Sequence, residues 1–449
     1  MAQLIISVSG LRGIVGESLT PLVAAQYTAA FAAGLPVKGS VVLTRDGRAT
    51  GSLFAQTIAS TLQASGLDVL YGDAAATPTT GVLVREHQAC AGIQISASHN
   101  PPPYNGIKLF GADGRVIPAA AGERVIEHYH ARNVRWVAHD QIGRFHPLSD
   151  TTSAHLAKVL ATVDVATIRR RKFRVVLDSN HGAGAVLGER LLRELGCDVT
   201  LLGPSPDGLF EHPPEPTADN LRSTAERAVK LAADAVFCQD PDADRLALID
   251  ENGHYIGEEF TVAIVLDHRL ATSKQQGIVV TNCSTSRMAA DICQSHGSRL
   301  VLSAVGEANV TDRMLLDQAV YGGEGNGGPI DPRVGYVRDS FVGMAQVLDC
   351  MARLNLPLSQ LAARLPQYAI HKTTIAIGRD RIAGLLNRLR DHFADATPSN
   401  LDGLRLDWPD SWLLVRASNT EPIVRAVAEA KSADRARELC AATARLAAE

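Results

Sequence analysis

One pattern occurs three times along the 449 residues, and it restricts the possible folds more than any other feature of the chain. An apolar run passes into a polar loop, then an amphipathic stretch of helical period, a glycine and a second apolar run. The first copy is Val41-Val42-Leu43, Thr44-Arg45-Asp46-Gly47-Arg48, a helical stretch from about Leu53 to Gln63, Gly66, and Val69-Leu70-Tyr71. The second is Val175-Val176-Leu177, Asp178-Ser179-Asn180-His181-Gly182, a helix near Val186 to Leu195, Gly196, and the run from Val199 to Leu202. The third is Ile278-Val279-Val280, Thr281-Asn282-Cys283-Ser284, a helix near Ser286 to His296, Gly297, and Leu300-Val301-Leu302. Each copy reads as a parallel βαβ unit, because the apolar period switches from strand to helix and back across a glycine stop. Three tandem, related α/β domains with mixed sheets are therefore expected. The last stretch differs, with strand-like runs at 373–377, 412–415 and 423–427 and helices near Arg381 to Phe393 and Ala433 to Ala448, which predicts a smaller α+β domain. The turn and linker signals divide the chain at 1–150, 151–252, 253–366 and 367–449.

A chain of this length is expected to hold three or four cores of about 100–150 residues each. Its 44 basic and 48 acidic residues leave only a slight negative balance, and nothing in the composition points to nucleic acid or membrane. No window approaches the roughly 20 apolar residues of a bilayer span, and the first apolar run has the length of a strand and lacks a basic leader. Seven cysteines, scattered without CxxC spacing and several inside apolar runs, read as reduced, buried thiols of a cytoplasmic protein.

Four polar loops carry the chemistry. In Ile95-Ser96-Ala97-Ser98-His99-Asn100-Pro101-Pro102-Pro103, an apolar strand runs into a proline-stiffened loop, with His99 and Lys108 close in sequence to Ser98. A serine hydroxyl is a weak nucleophile that must be held beside a base or a metal, so this loop is either a nucleophile's seat or a plain surface turn. Asp240-Pro241-Asp242-Ala243-Asp244-Arg245 lies between two apolar runs. Carboxylates at i, i+2 and i+4 of an extended segment share a side and repel unless a cation joins them, and hard oxygen ligands suit Mg²⁺. An EF-hand is excluded because Arg245 stands where its glycine belongs and the flanks are strands. A solvated acidic turn is the alternative.

The glycine-rich run around Glu324 and Asn326 offers groups that read vicinal sugar hydroxyls, or is a flexible turn. Arg416, Ser418, Asn419 and Thr420, with Arg425 in the following strand, form a candidate cradle for a dianionic phosphate, while Arg425 has Glu421 as an alternative partner. Arg12 lies between glycines that permit a close approach to a ligand, or is an ordinary surface arginine. His181 reads as a loop-capping residue.

Together these motifs resemble the α-D-phosphohexomutase family of phosphoglucomutases, phosphomannomutases and phosphoglucosamine mutases, over the whole chain and in the family's order. The resemblance implies four domains around a central cleft, each giving one loop. It implies Ser98 as the phosphoserine and, with Asp240, Asp242 and Asp244, as a ligand of Mg²⁺. It further implies Glu324 and Asn326 as sugar readers, and Arg416, Ser418, Asn419 and Thr420 as the distal-phosphate clamp. Arg12, His99, Lys108 and Arg245 match positions of the catalytic centre, with Lys108 a candidate general acid/base. The expected partners are small hexose phosphates, with a hexose 1,6-bisphosphate as activator and intermediate, and a homodimer is the candidate assembly. In the sugar loop many members carry Ser at the position of Asn326 and His at that of Gly328. The form found here is closer to the archaeal-type phosphoglucosamine and phosphomanno mutases, and no role of that His carries over. The rival classes are a metal-dependent phosphatase, which needs no distal clamp, and a sugar-phosphate-binding protein, which needs no Ser98 beside three aspartates.

Overall fold

The structure, a computed structural model, describes residues 4–8, 10–273, 276–418 and 422–448. All three repeats fold as strand, helix and parallel strand. Ser40–Arg45 pairs with Asp68–Ala74 across the helix Gly51–Ala64. Arg174–Asp178 pairs with Asp198–Leu202 across Gly184–Glu194, and Ile278–Asn282 with Arg299–Ser303 across Met288–Ser295. Gly66, Gly196 and Gly297 all have positive φ (83°, 78° and 65°), the left-handed turn that ends a helix and that a Cβ would oppose. Val41, Val42, Leu43, Val279 and Val280 are wholly buried, which matches the continuous apolar runs of strands covered on both faces.

Two compact units form, one from Met1–His268 with Asn326–Ala362 and one from Arg269–Gly325 with Ala363–Glu449. The first contains two sheets. The larger runs Ile5–Ser7, Gly10–Ile14, Tyr104–Gly111, Ala91–Ile95, Ser40–Arg45, Asp68–Ala74, Phe145–Pro147, with the strands from Ala91–Ile95 onward parallel and the pairs before them antiparallel. The smaller runs Leu246–Ile249, Ala235–Gln239, Arg174–Asp178, Asp198–Leu202, and only its first pair is antiparallel. The helix Ser340–Leu354 is buried from Ser340 through Ala352. Asp339 caps it by accepting from the N–H groups of Phe341 and Val342, and the same carboxylate lies 2.8 Å from Nε2 of buried His155, whose Nδ1 is 2.9 Å from Thr79 Oγ1.

In the second unit, Arg299–Ser303, Ile278–Asn282 and Tyr321–Glu324 are parallel. The C-terminal sheet is antiparallel throughout, in the order Ala369–Ala376, Ile423–Ala430, Ser411–Ala417, Leu404–Asp407, Thr397–Ser399, and carries the helices Ile382–His392 and Ala433–Ala448. The last two strands were not expected from sequence. They are short, and alternate leucine with charge or begin on Thr-Pro-Ser, so their apolar signal is weak. Trp412 lies fully buried in this sheet, its Nε1 donating to Glu429 Oε1 at 2.8 Å and its ring 4.4 Å from the Arg405 guanidinium carbon. Arg287 N–H donates to the same Glu429 oxygen, and Arg405 donates to the Cys283 carbonyl, so the polar loop of the third repeat is tied to this sheet.

Among the described residues none of the seven cysteines forms a disulfide, and no helix is long and apolar enough to cross a membrane. Trp412→Ala opens a cavity and leaves Glu429 short of a donor, so denaturant unfolding of this variant is expected to show a loss of about 3–5 kcal/mol. A loss under about 1 kcal/mol would mean that the network does not hold this sheet.

Candidate active site

The acidic loop joins two antiparallel strands, Ala235–Gln239 and Leu246–Ile249. It is not the extended segment expected from sequence. The Ala243 N–H donates back to the Asp240 carbonyl at 2.9 Å, and Ala243 takes a left-handed φ of 54°. This turn, rather than strand alternation, brings the three carboxylates together. Asp240, Asp242 and Asp244 are wholly buried and offer oxygens that lie within 4.8 Å of one another.

Two cations neutralise part of this charge. Lys108 Nζ pairs with Asp242 Oδ2 and, at 3.1 Å, with Asp244 Oδ2. Arg338 Nη2 reaches Asp244 Oδ2 at 2.6 Å. Thr77 Oγ1 donates to Asp242 Oδ2 at 2.5 Å, and the Arg245 N–H donates to Asp240 Oδ1 at 3.1 Å. Among the described residues, Asp242 Oδ1 and Asp244 Oδ1 are buried without a hydrogen-bond partner, although Arg245 Nε stands 3.8 Å from the latter. Buried carboxylate oxygens with no donor are expensive, and a hard divalent cation is the partner their chemistry fits.

The charges follow from these contacts. Burial, with Asp244 and Asp242 adding to it, pushes the Asp240 carboxyl well above the usual range. Burial also works against charge on Asp242 and Asp244, but Lys108 on the one and Arg338 with Lys108 on the other outweigh it and hold both below. Burial opposes the Lys108 ammonium as well, and Asp242 and Asp244 together raise it.

Ser98 follows the strand Ala91–Ile95 and is 1% exposed. Its Oγ donates to Asp240 Oδ2 at 2.9 Å and lies 3.3 Å from His99 Nδ1. Its φ is +50°, a conformation costing a non-glycine residue about 1–2 kcal/mol. The backbone on both sides is held. The Ser98 N–H donates to Ser96 Oγ, which donates to Asp46 Oδ2, and Arg48 donates to the Ser98 carbonyl at 2.7 Å. One such bond from a charged donor, at roughly 1.5–3 kcal/mol, offsets the strain. Burial lowers the His99 imidazole to about 3, with Arg245 and Arg12 adding to the effect, so the ring is neutral. Arg12, on the strand Gly10–Ile14, donates to Asn100 Oδ1 at 3.3 Å.

The second unit carries Glu324, Arg416, Ser418 and Arg425. Glu324 ends its strand 3% exposed, with Oε1 accepting from Asn282 Nδ2 at 2.6 Å and from the Gly306 N–H at 3.1 Å. Arg416 is paired with Asp402, Nε to Oδ2 at 3.2 Å, and stands directly opposite Arg425 on the neighbouring strand. Like charges opposite one another repel, so this pair suits an anion bound between them. The Ser418 N–H closes the hairpin onto the Ile423 carbonyl, while Asn419, Thr420 and Glu421 lie outside the described residues. In the first unit, Asn326 Oδ1 is buried without a hydrogen-bond partner among the described residues, and a Cβ on Gly328 would overlap the Arg338 side chain. His181 stays a loop residue, its Nδ1 2.9 Å from Asp207.

Sequence reasoning missed Thr77, Arg338, Asp46 and Arg48. The only local signal was the Asp46-x-Arg48 spacing, which permits a carboxylate and a guanidinium to pair within one loop.

Four family models match in order: "Phosphoglucomutase/phosphomannomutase, alpha/beta/alpha domain I" at residues 4–135, domain II at 153–253, domain III at 258–368, and the C-terminal domain at 381–446. A phosphoglucomutase/phosphomannomutase of Thermococcus kodakarensis is 35% identical over 439 residues, covering 96% of this chain and 95% of that protein. A probable phosphoglucosamine mutase of Methanopyrus kandleri is 33% identical over 436 residues, with the same coverage. Among solved structures, a phosphoglucomutase/phosphomannomutase family protein from Burkholderia thailandensis superposes with a TM-score of 0.83 at 22% identity, covering 99% of this chain and 98% of that one, and so shares the fold.

The metal reading can be tested by binding alone. Thr77→Val removes the hydroxyl on Asp242 and is expected to weaken Mg²⁺ by about 10–100-fold in calorimetry, with Asp242→Asn weakening it at least as much. Unchanged affinity in both variants would return this loop to a charge-paired structural turn.

Proposed function

The chain belongs to the phosphoglucomutase/phosphomannomutase family and is a phosphohexomutase, and from that premise we propose that it interconverts hexose 6-phosphate and hexose 1-phosphate through a phosphoserine at residue 98 and a hexose 1,6-bisphosphate. Glucosamine phosphate is the substrate we assign, on the strength of several relatives named probable phosphoglucosamine mutases and similar along at least 94% of this chain. Glucose and mannose phosphates are the alternatives, in line with the name of the Thermococcus relative. The observation that carries the reading is the buried Ser98 hydroxyl donating to Asp240, in a loop where two more carboxylate oxygens lack a partner.

Asp240, Asp242 and Asp244, with an oxygen of the Ser98 phosphoryl group, would hold Mg²⁺. When bound, the ion supplies Lewis-acid polarisation of that group. In the first half-reaction the P–O bond to Ser98 Oγ breaks as a P–O bond to the sugar's free hydroxyl forms, and the proton that the sugar hydroxyl loses is balanced by the one that Ser98 Oγ gains as it becomes a hydroxyl again. In the second, the bisphosphate returns its other phosphoryl group to Ser98. No water is consumed and no inorganic phosphate is released, which separates a mutase from a phosphatase.

Arg12, Arg245 and the neutral His99 line the reacting group, and Lys108 is the candidate general acid/base, entering as the acid because Asp242 and Asp244 hold it as an ammonium. Glu324 and Asn326 read the sugar hydroxyls. Arg416 and Arg425, with Ser418, Asn419 and Thr420, hold the phosphate that is not reacting. The mostly buried thiols, none of them in a disulfide, support a reducing, cytoplasmic setting.

With bisphosphate supplied, a coupled assay on glucosamine, glucose and mannose phosphates should give its highest kcat/KM with glucosamine phosphate. Arg416→Ala should lose roughly 1.5–3 kcal/mol of transition-state binding for the 1-phosphate and the 6-phosphate alike, without inorganic phosphate appearing. Unchanged kcat/KM for both isomers would remove Arg416 from the clamp, and steady phosphate release by the wild type would favour the phosphatase.

A further inference from the structure

Arg48 takes no part in the chemistry above, yet it is buried and its guanidinium is spent almost entirely on one turn. Nη1 donates to the carbonyl oxygens of Pro101 and Tyr104, each at 2.9 Å. Nη2 donates to those of Ser98 at 2.7 Å and Asn100 at 2.5 Å. Nε donates to Asp46 Oδ2 at 3.1 Å, and the Arg48 N–H donates to Asp46 Oδ1 at 2.9 Å, which fixes the direction of the fork. Asp46 Oδ2 also accepts from Ser96 Oγ, the group that receives the Ser98 N–H. Both backbone groups of Ser98 are thereby referred to a single Asp46–Arg48 pair.

The far side of the guanidinium is covered. The Phe210 ring lies 5.3 Å from the Arg48 guanidinium carbon, and Gly47 is so close to the His181 carbonyl that a Cβ there would overlap it. The polar loops of the first and second repeats thus pack on each other around Arg48.

We propose that Arg48 is a positioning residue for the reacting serine. It clamps the 98–104 turn in the left-handed backbone that aims Ser98 Oγ at Asp240, and Phe210, from the second sheet's side of the unit, secures the clamp. This rests on the reading of Ser98 as the phosphoryl carrier. The proline run alone does not explain the turn's conformation, because a proline fixes its own φ and not that of residue 98. Lysine cannot replace the fork, since one ammonium nitrogen cannot span carbonyls that a planar guanidinium meets along two edges.

The test uses the full chain with Arg48→Lys and Arg48→Met, following hydrogen exchange of peptides covering residues 96–104 alongside steady-state kinetics. Both variants are expected to exchange faster in that turn while peptides of the C-terminal sheet are unaffected. Turnover should fall roughly a hundredfold, the scale of a small misplacement of a reacting group, with KM for the sugar phosphate near its original value. Wild-type turnover in Arg48→Lys, or lost turnover with normal exchange of the turn, would overturn the proposal. Should neither variant fold, Phe210→Ala removes the cover of the guanidinium and none of its carbonyl acceptors. Faster exchange at 96–104 with lowered kcat then supports the clamp, and no change in either overturns it. The exchange readout judges Arg48 even if Ser98 proves to carry no phosphate, so failure of the clamp and failure of the phosphoserine reading give different results.

Discussion

The site depends on the cost of burying three carboxylates side by side. At separations within 4.8 Å, each charged pair repels by roughly 3 kcal/mol or more at an effective dielectric of about 20. The neighbours of the acidic loop answer that repulsion. Lys108 and Arg338 neutralise Asp242 and Asp244 from the Oδ2 side, the Thr77 hydroxyl adds a donor, and the Oδ1 atoms are left for a cation. Asp240 is the carboxylate without a side-chain cation within hydrogen-bonding reach among the described contacts, and it is the one that receives the Ser98 hydroxyl. An arrangement with unsatisfied buried oxygens would be a poor way to stabilise a fold. As a seat for a metal and a phosphoryl group it is coherent, because those ligands bring the missing partners.

Much of this was legible in the sequence, for a physical reason. The repeats declared themselves because buried parallel strands need continuous apolar runs and their helices need a left-handed stop, and Gly66, Gly196 and Gly297 supply it. Ser98 and the three aspartates stood out because their chemistry is carried by neighbours within a few residues. What supports them did not stand out. Thr77 meets Asp242 across 165 positions, Arg338 meets Asp244 across 94, and Arg48 meets Ser98 across 50. One sequence holds no record of such pairings. The same holds for the ion pair of Arg416 with Asp402, and for the turn at Ala243 that converges the carboxylates where an extended segment was expected.

The glycine-rich loop shows how local departures are accommodated. Gly328 stands where many members of the family carry His, and the Arg338 side chain fills the space a side chain there would need. That arginine also holds Asp244. A residue at 328 with a Cβ would displace Arg338 and disturb the acidic loop, so the glycine and the arginine form one structural choice. In the second unit, Glu324 is pinned by Asn282 and the Gly306 N–H, which sets the direction of its carboxylate.

The central claim is that Ser98 passes a phosphoryl group to a sugar and takes one back. The most direct measurement is a single turnover with enzyme radiolabelled on its phosphoserine, mixed with unlabelled hexose 1-phosphate and quenched at short times. The account predicts label at residue 98 beforehand, its transfer to hexose 1,6-bisphosphate and then to hexose 6-phosphate, and no transfer in Ser98→Ala. Label at another residue, or its passage to inorganic phosphate at the rate of turnover, would contradict it.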